Sequence, residues 1–141
     1  MSNGLEGQVL TAHTSGQLTW STIPSPSTFT GVSLVGYNEG PCYDLGTFGG
    51  TIAPDVTNGN VQKITLNSAL TFNGFTNPIS GQSLTLIVEQ GGSGNCVASY
   101  NAAYKFASNY KVLSTTVGSI DMINMFYDGT TIFCTLTTGY V

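Results

Sequence analysis

Arginine is missing from this 141-residue chain, and charge of either sign is scarce: three lysines, seven acids, one histidine and a formal net charge of -4 at pH 7. Only 7% of the residues are charged, against about 25% in an ordinary soluble domain. A protein that grips nucleic acid neutralises phosphates with a basic face, and Lys63, Lys105 and Lys111 are too few to make one. The same shortage removes any attraction to anionic membranes. Long apolar runs are lacking too: no window reaches about 18 apolar residues, so the sequence predicts no membrane-spanning helix. Met1-Ser2-Asn3-Gly4-Leu5-Glu6 has neither a basic stretch nor an apolar core, and no secretory signal is expected. No Asn-x-Ser/Thr sequon occurs. Cysteine is limited to Cys42, Cys96 and Cys134, an odd number without CxxC spacing. They read as buried free thiols of a protein made in a reducing cytoplasm.

Catalytic residue types are equally thin. The one histidine, His13, lies in a turn-like stretch, and no Gly-x-Ser-x-Gly elbow accompanies it. One histidine and scattered cysteines do not match zinc spacing. Asp55-Val56-Thr57-Asn58-Gly59-Asn60 is only loosely like a calcium loop, with Leu66 where such a loop needs its final glutamate. Among Asp44, Asp55, Glu89, Asp121 and Asp128, no pair is singled out for glycoside cleavage. Gly91-Gly92-Ser93-Gly94 lacks the Gly-Lys-Ser/Thr of a phosphate loop and reads as a hairpin loop. The expectation is a protein with no catalytic residue, no cofactor and no metal.

What is present is Thr, Ser, Asn and Gly, which make up 63 of the 141 residues, together with 40% hydrophobic residues and 15 aromatics. A chain of this mass buries about two-thirds of its surface on folding, so a core forms without staples. Two parts are expected. Residues 1–28 form an arm ending in Ile23-Pro24-Ser25-Pro26-Ser27, whose prolines favour a stiff, extended connector. Before it, Gln8-Val9-Leu10-Thr11 and Gln17-Leu18-Thr19-Trp20-Ser21 read as β pieces of a small hairpin or an extended arm. An isolated hairpin is marginal in water, so the arm must dock on something. Its apolar side chains Val9, Leu10, Leu18, Trp20 and Ile23 are the candidate partner-binding residues.

Residues 29–141 read as strands throughout. Ser83 to Glu89 places Leu84, Leu86 and Val88 on one face, and Ser83, Thr85 and Glu89 on the other. Ile120 to Tyr127 and Thr130 to Thr137 flank Asp128-Gly129, the pair that suits a two-residue type I′ turn. That register pairs Tyr127 with Thr130, Met125 with Ile132 and Ile123 with Cys134. It puts Ile123, Met125, Ile132 and Cys134 on one face, and Asn124, Phe126, Phe133 and Thr135 on the other. A three-residue loop at Asn67-Ser68-Ala69 aligns Leu66 with Leu70 and Ile64 with Phe72. Short strands, frequent turns and no crossover helices predict an all-β fold, an antiparallel β-sandwich of jelly-roll type. Tyr37, Tyr43, Tyr100, Tyr104 and Tyr110 could stack on sugars or anchor a protein interface.

Two segments carry a resemblance. Leu5-Glu6-Gly7-Gln8-Val9-Leu10-Thr11, followed by Gly16-Gln17-Leu18-Thr19-Trp20-Ser21, resembles an element of bacteriophage tail fibres and other virion proteins. Gly81-Gln82-Ser83-Leu84-Thr85-Leu86-Ile87-Val88-Glu89-Gln90-Gly91-Gly92-Ser93-Gly94, continuing to Phe126-Tyr127-Asp128-Gly129-Thr130-Thr131, is similar to a module of phage structural proteins. Tyr100-Asn101 stands where that module carries Trp-Pro. The resemblance implies a non-enzymatic virion protein. The leading expectation is a capsid decoration, or cement, protein made in the host cytoplasm. It would bind the major capsid protein on the outer surface of the shell, as a homotrimer, with neither nucleic acid nor membrane as partner. The alternative is a receptor-binding tip or short tail-fibre protein that recognises host surface glycans.

Overall fold

The computed structural model describes residues 8–12, 14–22 and 35–141. The chain divides into two units, residues 1–37 and 38–141. In the first, β1 (Gln8–Ala12) and β2 (Leu18–Thr22) form an antiparallel two-stranded sheet. The N-terminal β pieces thus form a hairpin. His13, between the strands, and Ile23 with the proline-rich connector lie outside the described residues.

The second unit contains β3 (Tyr43–Ile52), β4 (Val61–Phe72), β5 (Gln82–Gln90), β6 (Ala98–Tyr100), β7 (Tyr104–Phe106), β8 (Ile120–Tyr127) and β9 (Ile132–Tyr140). Its sheet runs β3-β4-β5-β8-β9-β7, with β6 also paired to β4. The all-β expectation holds, but the antiparallel jelly-roll sandwich does not. Four of the six pairings are parallel: β3–β4, β4–β5, β4–β6 and β7–β9. Only β5–β8 and β8–β9 are antiparallel. The lack of crossover helices implies antiparallel neighbours only where parallel strands must be joined by a helix. A chain that coils needs no helix, because each pass lies directly on the previous one.

The residue ladders show this winding. Ile52 pairs with Phe72, and Phe72 with Tyr100; Thr51 pairs with Thr71, and Thr71 with Ser99. Asp44 pairs with Lys63, and Lys63 with Ile87. The fold is accordingly read as a short β-solenoid of three stacked passes, closed on one side by the β8–β9 hairpin. Side chains reinforce the stacking. The Phe72 and Tyr100 rings lie parallel, 5.3 Å apart. The hydroxyls of Thr71 and Ser99 are hydrogen-bonded at 2.8 Å, and Lys63 Nζ meets Asp44 Oδ2 at 3.0 Å.

Asn67-Ser68-Ala69 is not a hairpin loop. It lies inside β4, with all three residues exposed, where the strand changes partner. Residues before it pair with β5 and residues after it with β6. Nor is Gly91-Gly92-Ser93-Gly94 a hairpin loop, since it joins β5 to β6, which both lie against β4. Its glycines serve close approach. A Cβ on Gly91 would stand 2.8 Å from the Leu66 carbonyl oxygen, and one on Gly94 (φ 71°) 2.6 Å from that of Thr115.

The β8–β9 hairpin exists, with a four-residue connection instead of a type I′ turn. Tyr127 faces Ile132, Met125 faces Cys134 and Ile123 faces Leu136. Asp128 sets this turn: its Oδ1 accepts the N–H groups of Thr130 and Thr131 at 2.8 and 2.7 Å. The register is shifted by two residues from expectation, which leaves every side chain on its expected face. Ile123, Met125, Ile132 and Cys134 are buried, and Asn124, Phe126, Phe133 and Thr135 are exposed. On β5, Leu84, Leu86 and Val88 are likewise buried, and join Ile64, Leu66, Leu70 and Phe72 of β4 in the core. Cys96 and Cys134 are buried as expected, but Cys42 is exposed.

Candidate functional site

Antiparallel pairing decides which arm residues share a face. Leu10 lies opposite Trp20, and Ala12 opposite Leu18. Alternation along both strands puts these four on one side of the hairpin. Leu10, Leu18 and Trp20 are each about half exposed, at 48%, 53% and 41%. Three of the five candidate partner-binding residues are therefore brought together as one apolar face. The backbone of Val9 pairs with Ser21, next to the Leu10–Trp20 pair. Ile23 lies outside the described residues.

Two adjoining concavities lie on the body. One, of about 490 Å³, lies over the outward face of β8 and β9, where Phe126 and Phe133 are cross-strand partners and Asn124 and Thr135 line it beside them. The two phenylalanines are 45% and 50% exposed. Sequence periodicity placed them on a shared outer face without assigning them a role. The second, of about 290 Å³, has walls formed by Tyr100, Asn101, Lys105, Phe106, Asn109 and Lys111. Lys105 and Phe106 line both, so the two are adjacent.

This second concavity was not read from the sequence. Its residues come from β6, β7, the short 3-10 turn Ala107–Asn109 and the connecting residues beside them, Asn101 and Lys111 among these. Ser108 and Asn109 both adopt left-handed backbone angles, φ 53° and 54°. Such conformations are costly for non-glycine residues and cluster at functional walls. Tyr100 and Phe106 meet edge to face, 4.6 Å between ring centres. Tyr104 is buried against both Phe72 and Phe75 and donates its hydroxyl to the Asn73 carbonyl at 2.8 Å. Tyr37, Tyr43 and Tyr110 are exposed, so of the five tyrosines considered for stacking, Tyr104 is a core residue and Tyr100 half-buried.

The aspartates Asp44, Asp55, Asp121 and Asp128 have structural partners. Asp121 is 1% exposed, and its carboxylate accepts Ser114 N–H at 2.6 Å, Ser114 Oγ–H at 2.7 Å and Gly139 N–H at 2.9 Å. It occupies the irregularity where the β8–β9 register shifts between Ile120 and Met122. Asp55 caps the 3-10 turn Val56–Asn58; one oxygen accepts from the N–H and hydroxyl of Thr57, the other from the Asn77 amide. The Thr57 hydroxyl, above all, holds the Asp55 carboxyl below its usual range. Lys63 does the same for Asp44, and the Thr131 N–H for Asp128. Burial pushes the Cys134 thiol up to about 12, and pushes the phenols of Tyr100 and Tyr104 upward too. These groups are held neutral at physiological pH. Among the described residues, no three His, Cys, Asp or Glu side chains are grouped to hold a metal ion. No family model, curated protein or solved structure matches the chain.

Proposed function

We propose that this chain is a non-enzymatic structural protein of a bacteriophage virion: a decoration protein that binds the outer surface of the major capsid shell and stabilises it. The observation that carries the reading is the hairpin face of Leu10, Ala12, Leu18 and Trp20, an apolar surface on a separate small unit. Its residues fall within the segment that resembles virion proteins. The body fits the same role, since its ladders of paired side chains make a stiff, weakly charged object. Its work is mechanical, covering joints between capsid subunits. Assembly as a homotrimer would multiply the weak grip of each hairpin.

The test is binding of the full chain to empty capsids. Leu10→Ser, Leu18→Ser and Trp20→Ser together weaken it about tenfold or more, as expected for a buried apolar anchor. Deleting residues 1–23 abolishes it while the body keeps its β-type circular dichroism. Undiminished binding by either variant removes the hairpin as anchor. Copy number separates this reading from a tail tip that binds host glycans, for which the exposed Tyr37, Tyr43 and Tyr110 speak. A decoration protein covers the shell many times over, whereas a tail tip is present in a handful of copies.

A further inference from the structure

We propose that the concavity walled by Tyr100, Asn101, Lys105, Phe106, Asn109 and Lys111 is a binding site for one sugar ring bearing an anionic group. It involves none of the hairpin residues and requires no particular place in a virion.

The chain has three cations against seven acids, yet two of the three cations, Lys105 and Lys111, line this one concavity, and no acid does. The third, Lys63, is paired with Asp44. Among the described residues, neither Lys105 nor Lys111 forms an ion pair. In a protein of net charge -4, the lining of this concavity holds two lysines and no carboxylate residue.

Size and polarity narrow the ligand. About 290 Å³ lies at the low end of small-molecule pockets, enough for a single ring with its substituents and too little for an extended chain. The side-chain oxygen of Asn101 is taken by the Ala103 N–H at 3.1 Å, which turns its amide into a donor for hydroxyl oxygens. The Asn109 amide is engaged by no other described residue and both donates and accepts. Tyr100 and Phe106 are partly buried against the core, with the Tyr100 ring stacked on Phe72, and leave a small apolar part of the wall for the C–H face of a sugar. A bare inorganic anion would use the lysines and leave the amides and rings idle. The backbone at Ser108 and Asn109 adopts left-handed geometry at the wall, which sets where the Asn109 side chain leaves the chain.

The same chemistry is found in a uronic acid and in a sugar phosphate, and one experiment distinguishes them. The isotope-labelled full chain is titrated by NMR with glucuronate, glucose 6-phosphate, glucose and inorganic phosphate. Saturable shifts at the amides of Ala102, Lys105 and Asn109 are expected with at least one of the two anionic sugars. Its affinity is about tenfold or more above that of glucose and of phosphate alone, and the tighter of the two identifies the anionic group. Lys105→Gln with Lys111→Gln, two exposed substitutions, reduces that affinity to the level of glucose. The proposal is overturned if neither anionic sugar saturates, if glucose or phosphate alone binds equally well, or if the double variant keeps its preference.

Discussion

Two neighbouring tyrosines show how one hydroxyl can stabilise or cost. Tyr104 donates to the Asn73 carbonyl, whereas the Tyr100 oxygen is buried with no hydrogen-bond partner. A buried polar atom left unsatisfied loses its water and regains nothing. Tyr100→Phe is therefore expected to raise stability by about 1 kcal/mol, and Tyr104→Phe to lower it by about 1 kcal/mol. Urea unfolding of the two variants checks the opposite signs, and a loss on Tyr100→Phe would show that its hydroxyl is satisfied. Gln90 makes the favourable case more fully: its side-chain amide donates to the Cys96 carbonyl and accepts the Cys96 N–H, at 2.7 and 3.1 Å. Gln90 bonds a residue six positions on, and Asp121 bonds residues seven and eighteen positions away; loop closure makes these pairings, so strand periodicity leaves Gln90 unread and Asp121 an unassigned acid.

Among the elements, the strands built on local alternation were legible and those built on winding were not. β5, β8 and β9 alternate in burial as their side chains alternate in polarity. Even the mistaken turn at Asp128 left the faces right, because the error was a shift of two residues. β4 deceived because the pattern Leu66…Leu70 looks the same whether the chain reverses at Ser68 or runs straight on to a new partner. Nothing local tells a strand which neighbour it will meet several turns later. For the same reason, the lysine-lined concavity, assembled from β6, β7 and a turn, was invisible in sequence. The hairpin face was partly legible: the arm's apolar residues were identified, but the partnership of Leu10 with Trp20 follows only from the strand register. The loop after β5 gives this scale its own prediction. Gly94→Ala forces a side chain against the Thr115 carbonyl at a left-handed position and is expected to cost about 2 kcal/mol or more. It should be read as a lowered melting temperature by calorimetry, and an unchanged melting temperature would mean that the loop moves aside.

For the whole molecule, the scarcity of charge makes pH dependence simple. Asp44, Asp55 and Asp128 all have carboxyls lowered by their native partners. In the unfolded chain they titrate near the ordinary aspartate value, about 3.9. The stability they contribute is thus complete above that value and is lost as pH falls through their lowered native values. Denaturation midpoints are expected to stay level from neutral pH to about pH 5 and to decline below about pH 4. A midpoint that rises on acidification would contradict these partnerships. The stacked passes raise a further question at this scale, since β3 stands at the end of the sheet, paired only to β4. A regular terminal strand there would be a template on which the next molecule's coil could nucleate, producing a fibril. β3 is irregular instead. Its register breaks between Asp44 and Thr47 and again between Phe48 and Gly50, with Gly46 and Gly50 in left-handed conformations. Such interruptions are the kind that keep an edge strand from templating a neighbour, and molecules crowded side by side are expected to remain discrete particles.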